Sequence, residues 1–347
     1  MSASPQGCHP EDRQPDVAQP GQAAVIGACR SVTVTSISET GWWDTGRFVE
    51  EIAANGGKTA CQWEMHFDPD NAAGSCSLVE VEGLRGETTR ILLDAGWNRD
   101  YMAERFRATG VDRLLAAGAI DFLYLSHEHL DHFWGIEAVL ALAPDITILA
   151  PGTLSEAAAA WLAGGSFPQA GIANRVPHRG KLTRLLPGGI HRLADGVASV
   201  TFDVPIWLDV RGEQSLYVNV ADEGLVCITG CCHQGVVALV DYAIDHLDAG
   251  RRLYGLFGGL HIAPLAPLTE EQRETVRALG RYGFRKIAAN HCTGAPAIAL
   301  MHELGYPMVG GSGRDGSQGT DHVGNGDAVR FAAAADLPGG GRIERRQ

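Results

Sequence analysis

The sequence predicts an α/β protein in which β-sheets are layered and covered by helices, and three observations carry that prediction. An alternating β-branched run at 31–37 is followed by two more strand patterns before any long helical one. From residue 99 onward helical and strand patterns alternate. No dinucleotide fingerprint or P-loop is present: the glycine-dense stretch 310–316 follows a weak strand and opens no helix, which argues against a doubly wound nucleotide fold.

In chain order, residues 1 to about 24 are rich in Pro, Gln, Ser and Asp with little apolar content, and are expected to stay disordered. Strands are expected at 31–37, 76–81 and 90–93, the last two joined by a turn between Gly83 and Gly86. Helices follow at 99–109 and 111–117, a strand at 122–125, an amphipathic helix at 134–142, a strand at 146–150 stopped by Pro151-Gly152, and an Ala-rich helix at 154–162. After a Gly/Pro-rich crossing at 164–180, strands are expected at 181–186, 199–203, 216–220 and 225–229. The remaining pattern reads helix 236–245, strand 253–257, helix 269–279, strand 286–289 and helix 295–304, then a Gly-rich loop.

With 347 residues, 45% hydrophobic and 20% charged, the composition is that of a globular protein. The net charge of −13 argues against nonspecific binding to nucleic acid or an anionic membrane. An anionic small-molecule substrate stays open, because bound cations reverse the local field. No run of eighteen apolar residues exists, so no membrane span is expected, and the N-terminus lacks the order of a secretory signal. The eight cysteines have no framework spacing, which points to reduced thiols in the cytoplasm. Homo-oligomerisation is left open.

The densest chemical signal is Ser126-His127-Glu128-His129-Leu130-Asp131-His132, directly after an apolar strand pattern. Three imidazoles and a carboxylate suit zinc, iron or manganese, against the alternative of a polar loop rich in histidine by chance. Four other groups fall at predicted strand ends, where a sheet presents its loops. Asp94, in LLDAG, reads either as an acceptor for a ligating imidazole or as a turn-forming Asp. In TGCCHQG, His233 reads as a ligand; Cys231 and Cys232 read as soft ligands or as small buried residues. In NHCTG, His291 reads as a late ligand and Cys292 as packing. In GGLH, the glycines allow close backbone approach, and His261 reads as a proton-transfer group or as a structural histidine. His178, His191, His246, His302 and His322 read as surface residues, and the role of His66 is open. Trp42, Trp43, Trp63, Trp97, Phe133, Trp134 and Trp207 line an aromatic pocket or, more simply, the core.

Together, LLDAG at 92–96, SHEHLDH at 126–132, TGCCHQG at 229–235, GGLH at 258–261 and HCTG at 291–294 resemble the metallo-β-lactamase superfamily. Within it they are most similar to the dihydropterin–ribofuranosylaminobenzene 5′-phosphate synthase branch. The resemblance implies a four-layer αββα sandwich of two mixed β-sheets, in one catalytic domain over 31–335. It implies His127, His129 and His233 around one metal ion, Asp131, His132 and His291 around a second, and Asp94 as a supporting carboxylate. One departure stands out: the place of a bridging Asp in many members is taken here by Cys231 or His233. His129 stands where redox members carry Glu, which disfavours a di-iron electron-transfer site.

The implied activity is a metal-dependent hydrolase using a metal-bound hydroxide on an ester, lactone or phosphoester of a small molecule, with Asp131 orienting the nucleophile and His261 protonating the leaving group. Zinc is the first expectation for the ion, with manganese or iron as alternatives. Two other readings stay open: a transferase condensing a pterin-like diphosphate with an aromatic amine, and a noncatalytic metal-containing ligand sensor.

Overall fold

The computed structural model describes residues 23–265 and 267–333. The segment expected to be disordered lies, up to residue 22, outside the described residues, as do Cys8 and the last two positions of the expected domain. The first β-layer contains β1 (Cys29–Ser38), β2 (Cys76–Gly83), β3 (Thr88–Leu93), β4 (Phe122–Tyr124) and β5 (Ile148–Pro151). A small ribbon of β6 (Ser166–Phe167) and β7 (Ile172–Ala173) sits within the crossing, and β8 (Leu182–Leu185) then extends β5. The second layer is β9 (Ile190–Ala194), β10 (Val197–Ile206), β11 (Val210–Val220), β12 (Gly224–Thr229), β13 (Leu253–Gly259) and β14 (Lys286–Asn290); β15 (Ala328–Ala332) returns to pair with β1.

Strand alternation explains the layering. Val32, Val34, Val79, Val81 and Ile91 of the first layer meet Leu216, Val218, Val226, Ile228 and Phe257 of the second in one buried core. The opposite faces are apolar as well. Leu78, Leu92, Leu123 and Ile148 pack outward under one set of helices, and Tyr217, Leu225, Leu256 and Ile287 under another. Each fully buried aliphatic side chain contributes about 1.5–3 kcal/mol, so both faces of both layers must be covered. The outcome is the expected αββα order with one refinement: a single parallel pairing, Cys29 with Val220, joins the two layers into a continuous thirteen-stranded sheet.

The covering helices on the first layer are α1 (Thr45–Ala54), α2 (Arg99–Thr109), α3 (Val111–Ala116), α4 (Leu130–Phe133), α5 (Glu137–Leu140) and α6 (Glu156–Leu162); those on the second are α7 (Val236–His246), α8 (Glu270–Ala278) and α9 (Ala295–Glu303). Their limits follow ordinary capping. Asn98 caps α2 through the Asp100 and Tyr101 amides, and Gly110 ends it at φ 77°. The expected helix 134–142 is corrected: helical structure starts earlier, at Leu130, and is broken at Trp134–Ile136 by a 3₁₀ turn. There the Gly135 amide donates to Gly96 O at 2.8 Å instead of continuing an α-ladder, and a side chain at 135 would meet Ala95 O at 2.5 Å.

Five elements lie outside the sequence expectations: α1, the two strands of the β6–β7 ribbon, β9 and β15. The β10–β11 hairpin also runs longer than expected, because its outer half is partly exposed and its apolar alternation fades.

Strand direction gathers the functional loops. β12, β13 and β14 run parallel, so the segments after Thr229, Gly259 and Asn290 leave at one edge. β3 and β4 are also parallel, and β1 has their direction through two antiparallel pairings. The segments after Ser38, Leu93 and Tyr124 therefore share an edge of the first layer.

Candidate metal centre

All the motifs singled out above converge at this edge. Asp94, at positive φ (66°), leaves β3 and turns its carboxylate toward the 126–132 loop. Its Oδ1 accepts from the Ser126 amide at 2.7 Å, and its Oδ2 accepts from Ser126 Oγ at 2.8 Å and from His132 Nδ1 at 2.7 Å. Since the Ser126 hydroxyl proton is directed to Asp94, its oxygen accepts from His127 Nδ1 at 2.9 Å. A carbonyl completes the pattern for His129, whose Nε2 donates to Trp207 O at 2.8 Å. Gln62 clamps the loop backbone, donating to Glu128 O at 2.7 Å and accepting from Leu130 N at 2.9 Å.

These acceptors fix the tautomers. His127 Nε2 and His129 Nδ1, both without hydrogen, face each other at 3.0 Å. His291 is set in the same way: its Nδ1 donates to Glu39 O at 2.9 Å, and its Nε2 lies 3.0 Å from His132 Nε2. Asp131 Oδ2 stands 3.3 Å from His291 Nε2 and 3.7 Å from His132 Nε2. Two buried pairs of nitrogen lone pairs thus point at each other, an arrangement that a cation or a proton must relieve. His233 joins the first pair, with its ring 4.9 Å from His127 and 5.0 Å from His129 and its Nε2 buried without a partner among the described residues. The donor atoms of His127, His129 and His233 lie within 4.8 Å of one another, as do those of Asp131, His132 and His291. Nitrogen and carboxylate donors in two such clusters fit divalent metal ions.

The two clusters differ electrostatically. Burial and the neighbouring imidazoles hold His127 and His233 well below the usual histidine range, and burial lowers His129 to about 4. These three are neutral at pH 7, the form that coordinates. For His132, burial opposes the charged form, but Asp131 and Asp94 outweigh it and raise the pKa. For His291 the Asp131 hydrogen bond and the nearby Cys292 likewise overcome burial and raise it to about 10. Burial works against the Asp131 charge too, yet His132 and His291 hold its carboxyl below the usual range.

The loop after β12 is held by Glu213, a fully buried carboxylate on β11. Its Oε1 accepts from the amides of Cys231 (2.9 Å) and Cys232 (2.8 Å), and its Oε2 from that of His233 (2.6 Å). Gly230 is required here: a Cβ would stand 2.3 Å from Ser126 Oγ. Glu39 does parallel work for the loop after β14, accepting from His291 N at 3.2 Å and from Gln318 N and Nε2, both at 2.7 Å.

The floor of donors opens into a pocket walled by Trp42, Phe48, Trp207 and Leu265. Trp42 stacks on Phe48 at 4.2 Å, and Lys58 Nζ sits 3.5 Å from the centre of the Trp207 ring. His261 lines the cavity beside His233, ring to ring at 4.3 Å, with its Nδ1 buried and unpartnered among the described residues. Cys231 and Cys292 also line it, so packing alone does not describe them; Cys232 does pack, into the core under α7. Asp94 does not line the cavity and acts through His132 and Ser126.

Of the aromatic candidates only Trp42 and Trp207 reach the cavity. Trp63, Trp97, Phe133 and Trp134 are core, and Trp43 is exposed. His322, expected at the surface, is buried, its Nε2 donating to Thr293 O at 2.7 Å to brace the 291–294 loop. His66 is exposed and away from the cavity lining. Glu39, Gln62 and Glu213 were not legible as site residues. None of the three carried a signal: Glu213 stands among Arg211, Gly212, Gln214 and Ser215, short of the apolar strand pattern at 216–220.

Comparison with known proteins agrees with this architecture. Residues 70–218 match the family model described as Metallo-beta-lactamase superfamily. The 7,8-dihydropterin-6-methyl-4-(beta-D-ribofuranosyl)-aminobenzene-5'-phosphate synthase of Methanocaldococcus jannaschii is 26% identical over 275 residues, covering 70% of this chain and 85% of that one. A solved metal-dependent hydrolase of the beta-lactamase superfamily superposes with TM-score 0.51 at 19% identity, over 78% of this chain and 92% of its own. Zn(2+)-bound PqqB from Methylobacterium extorquens gives TM-score 0.47 at 14% identity, over 80% of this chain and 97% of its own. Among the described residues, no helix is long and apolar enough to cross a membrane.

Proposed function

Starting from a chain with the metallo-beta-lactamase fold, we propose that this protein is a metal-dependent hydrolase acting on an ester, lactone or phosphoester bond of a small molecule with a flat aromatic group. The carrying observation is the pair of close ring-nitrogen contacts, His127 Nε2 to His129 Nδ1 and His132 Nε2 to His291 Nε2, each 3.0 Å, on the floor of an aromatic-walled cavity. His127, His129 and His233 would hold one divalent ion and Asp131, His132 and His291 a second, with zinc the first candidate and manganese or iron the alternatives. Ions in these donor sets supply Lewis acidity and make hydroxide accessible at neutral pH.

The chain's own residues do the rest. Asp131, held ionised, accepts a hydrogen bond from the nucleophile at Oδ2 and sets its line of approach. His261 faces the cavity with a free ring nitrogen and donates a proton to the leaving oxygen. Trp42, Phe48 and Trp207 grip the flat part of the substrate and shed water from it. Asp94, Glu213 and Glu39 position the donors without touching substrate.

A second reading is favoured by the synthase relative, which spans most of the chain. In it the cavity takes two aromatic units, one a pterin-like diphosphate and the other an aromatic amine, and the amine displaces the diphosphate. Turnover of a panel of esters, lactones, phosphoesters and a pterin diphosphate with an aromatic amine, run in oxygen-labelled water, separates the two. Solvent oxygen in the product supports hydrolysis, and an unlabelled condensation product supports the transferase. Metal-replete protein that turns over none of them contradicts both.

A further inference from the structure

β13 lies between β12 and β14, so the loops that leave β12 and β14 start two strands apart, about 9–10 Å at the usual sheet spacing. They nevertheless meet above it, because β13 ends in glycine. A side chain at Gly259 would stand 2.6 Å from Cys292 Sγ and 2.5 Å from Gly230 O, so its absence leaves the space in which the two loops touch. What meets there is a pair of thiols. Cys231 Sγ and Cys292 Sγ lie within 4.8 Å of each other, and the Cys292 S–H donates to Cys231 O at 3.5 Å. Of the seven described cysteines these two alone line the pocket, which gives small solutes a route to them. Cys29, Cys76, Cys227 and Cys232 are sealed in the apolar cores, and Cys61 packs against one of those cores.

We propose that Cys231 and Cys292 are an oxidative modification site, a dithiol that a small peroxide converts to a disulfide and a thiol reductant restores. The pairing does not rest on the hydrolase reading; it follows from two facing sulfurs with shared access. Both backbones are pinned. Glu213 accepts from the Cys231 amide at 2.9 Å, and on the other side Thr293 N donates to Asn290 O at 3.0 Å while Thr293 Oγ1 accepts from Leu260 N at 2.8 Å. Rotation of the two side chains is left to bring the sulfurs to the S–S bond length of about 2.05 Å. The chemistry closes without another reactant. Peroxide oxidises one sulfur to a sulfenic acid and releases one water. The second thiol then attacks that sulfur: the S–S bond forms, the S–OH bond breaks, and the hydroxyl leaves with the thiol proton as a second water. Two electrons pass from the sulfurs to the peroxide. A solitary thiol has no such partner and runs on to the sulfinic acid. The bridge ties the loop that carries His233 to the loop that carries His291.

Hydrogen peroxide is the probe, added to the reductant-free full-length protein both as isolated and after chelator treatment. The expected result in either form is loss of two of the eight thiols, a mass lower by two hydrogens, and a peptide pair linked from Cys231 to Cys292. Dithiothreitol should restore both thiols. This mapping is done on the wild type and needs no variant to fold. In Cys231→Ser and in Cys292→Ser the remaining pocket thiol is expected to reach sulfinic acid, which dithiothreitol does not reverse. Three results overturn the assignment: thiol loss in the wild type without that linkage, a bridge from either residue to another cysteine, or both thiols still titratable in both forms after a peroxide excess that oxidises the unfolded protein.

Discussion

Asp94 Oδ2 accepts the ring N–H of His132 at 2.7 Å, and the same oxygen receives the Ser126 hydroxyl whose oxygen in turn holds His127. One buried carboxylate thus sets the tautomer of an imidazole in each cluster. Replacing it with Asn leaves a similar volume but changes an acceptor-only group into one that also donates. Asp94→Asn is expected to weaken metal binding by about 10- to 100-fold with the fold retained. A competition titration against a chromophoric chelator, with circular dichroism as the control for folding, measures it. Unchanged affinity would remove Asp94 from the account.

Glu213 satisfies three consecutive amides of the loop that carries Cys231 and His233. Glu213→Gln puts a donor where an acceptor is needed and strands at least one buried N–H. The expected cost is about 1–3 kcal/mol of stability, with looser metal binding as its companion. Chemical denaturation of the metal-free and metal-loaded forms reads both effects, and the metal-loaded form should lose more.

Trp207 has two separable parts. Its carbonyl holds His129, while its indole walls the cavity. Trp207→Ala keeps the first and deletes the second, so metal content should stay at the wild-type level while KM for an aromatic substrate rises roughly 3- to 10-fold, from about 0.5–1.5 kcal/mol per aromatic contact. A variant that loses its metal, or binds the aromatic substrate as well as wild type, contradicts the division.

The pH dependence of metal-free stability follows from the opposite shifts in the two clusters. His129 is lowered from 6.5 to about 4, and His127 and His233 move the same way. As pH falls below 6.5 the unfolded chain takes up these protons first, so stability is complete above 6.5 and is lost on the way down to about 4. His291, raised from 6.5 to about 10, behaves inversely: its contribution is complete below 6.5 and is lost as pH rises through 10. Chelator-treated protein should therefore melt at lower temperature on both sides of a neutral maximum. A profile that improves steadily from pH 6.5 down to 4 would contradict the buried neutral imidazoles.

Much of this was legible from the chain. Period-two and helical patterns located most strands and helices, since burial on both faces of both layers leaves its mark on every strand. The histidine motif and the histidines at later strand ends were also visible, because coordinating side chains must sit where strands stop. What stayed hidden has a common cause: it depends on tertiary contact. Glu39, Gln62 and Glu213 matter through backbone groups far away in sequence, and nothing beside them in the chain signals that. The break at Trp134–Ile136 arises from the Gly135–Gly96 hydrogen bond, which local propensity does not register. His322 looked like a loop histidine because its partner, Thr293 O, belongs to another strand-end loop. The positive φ values at Asp94, Cys232, His261 and His291 are likewise set by the site rather than by residue type.

The most direct test of the central claim is anomalous diffraction at the zinc edge from crystals of the zinc-loaded protein. Two peaks are predicted, one about 2.0–2.1 Å from nitrogens of His127, His129 and His233, and one at similar distance from His132, His291 and a carboxylate oxygen of Asp131. Folded protein in zinc-saturated crystals with no anomalous peak at either cluster would contradict it.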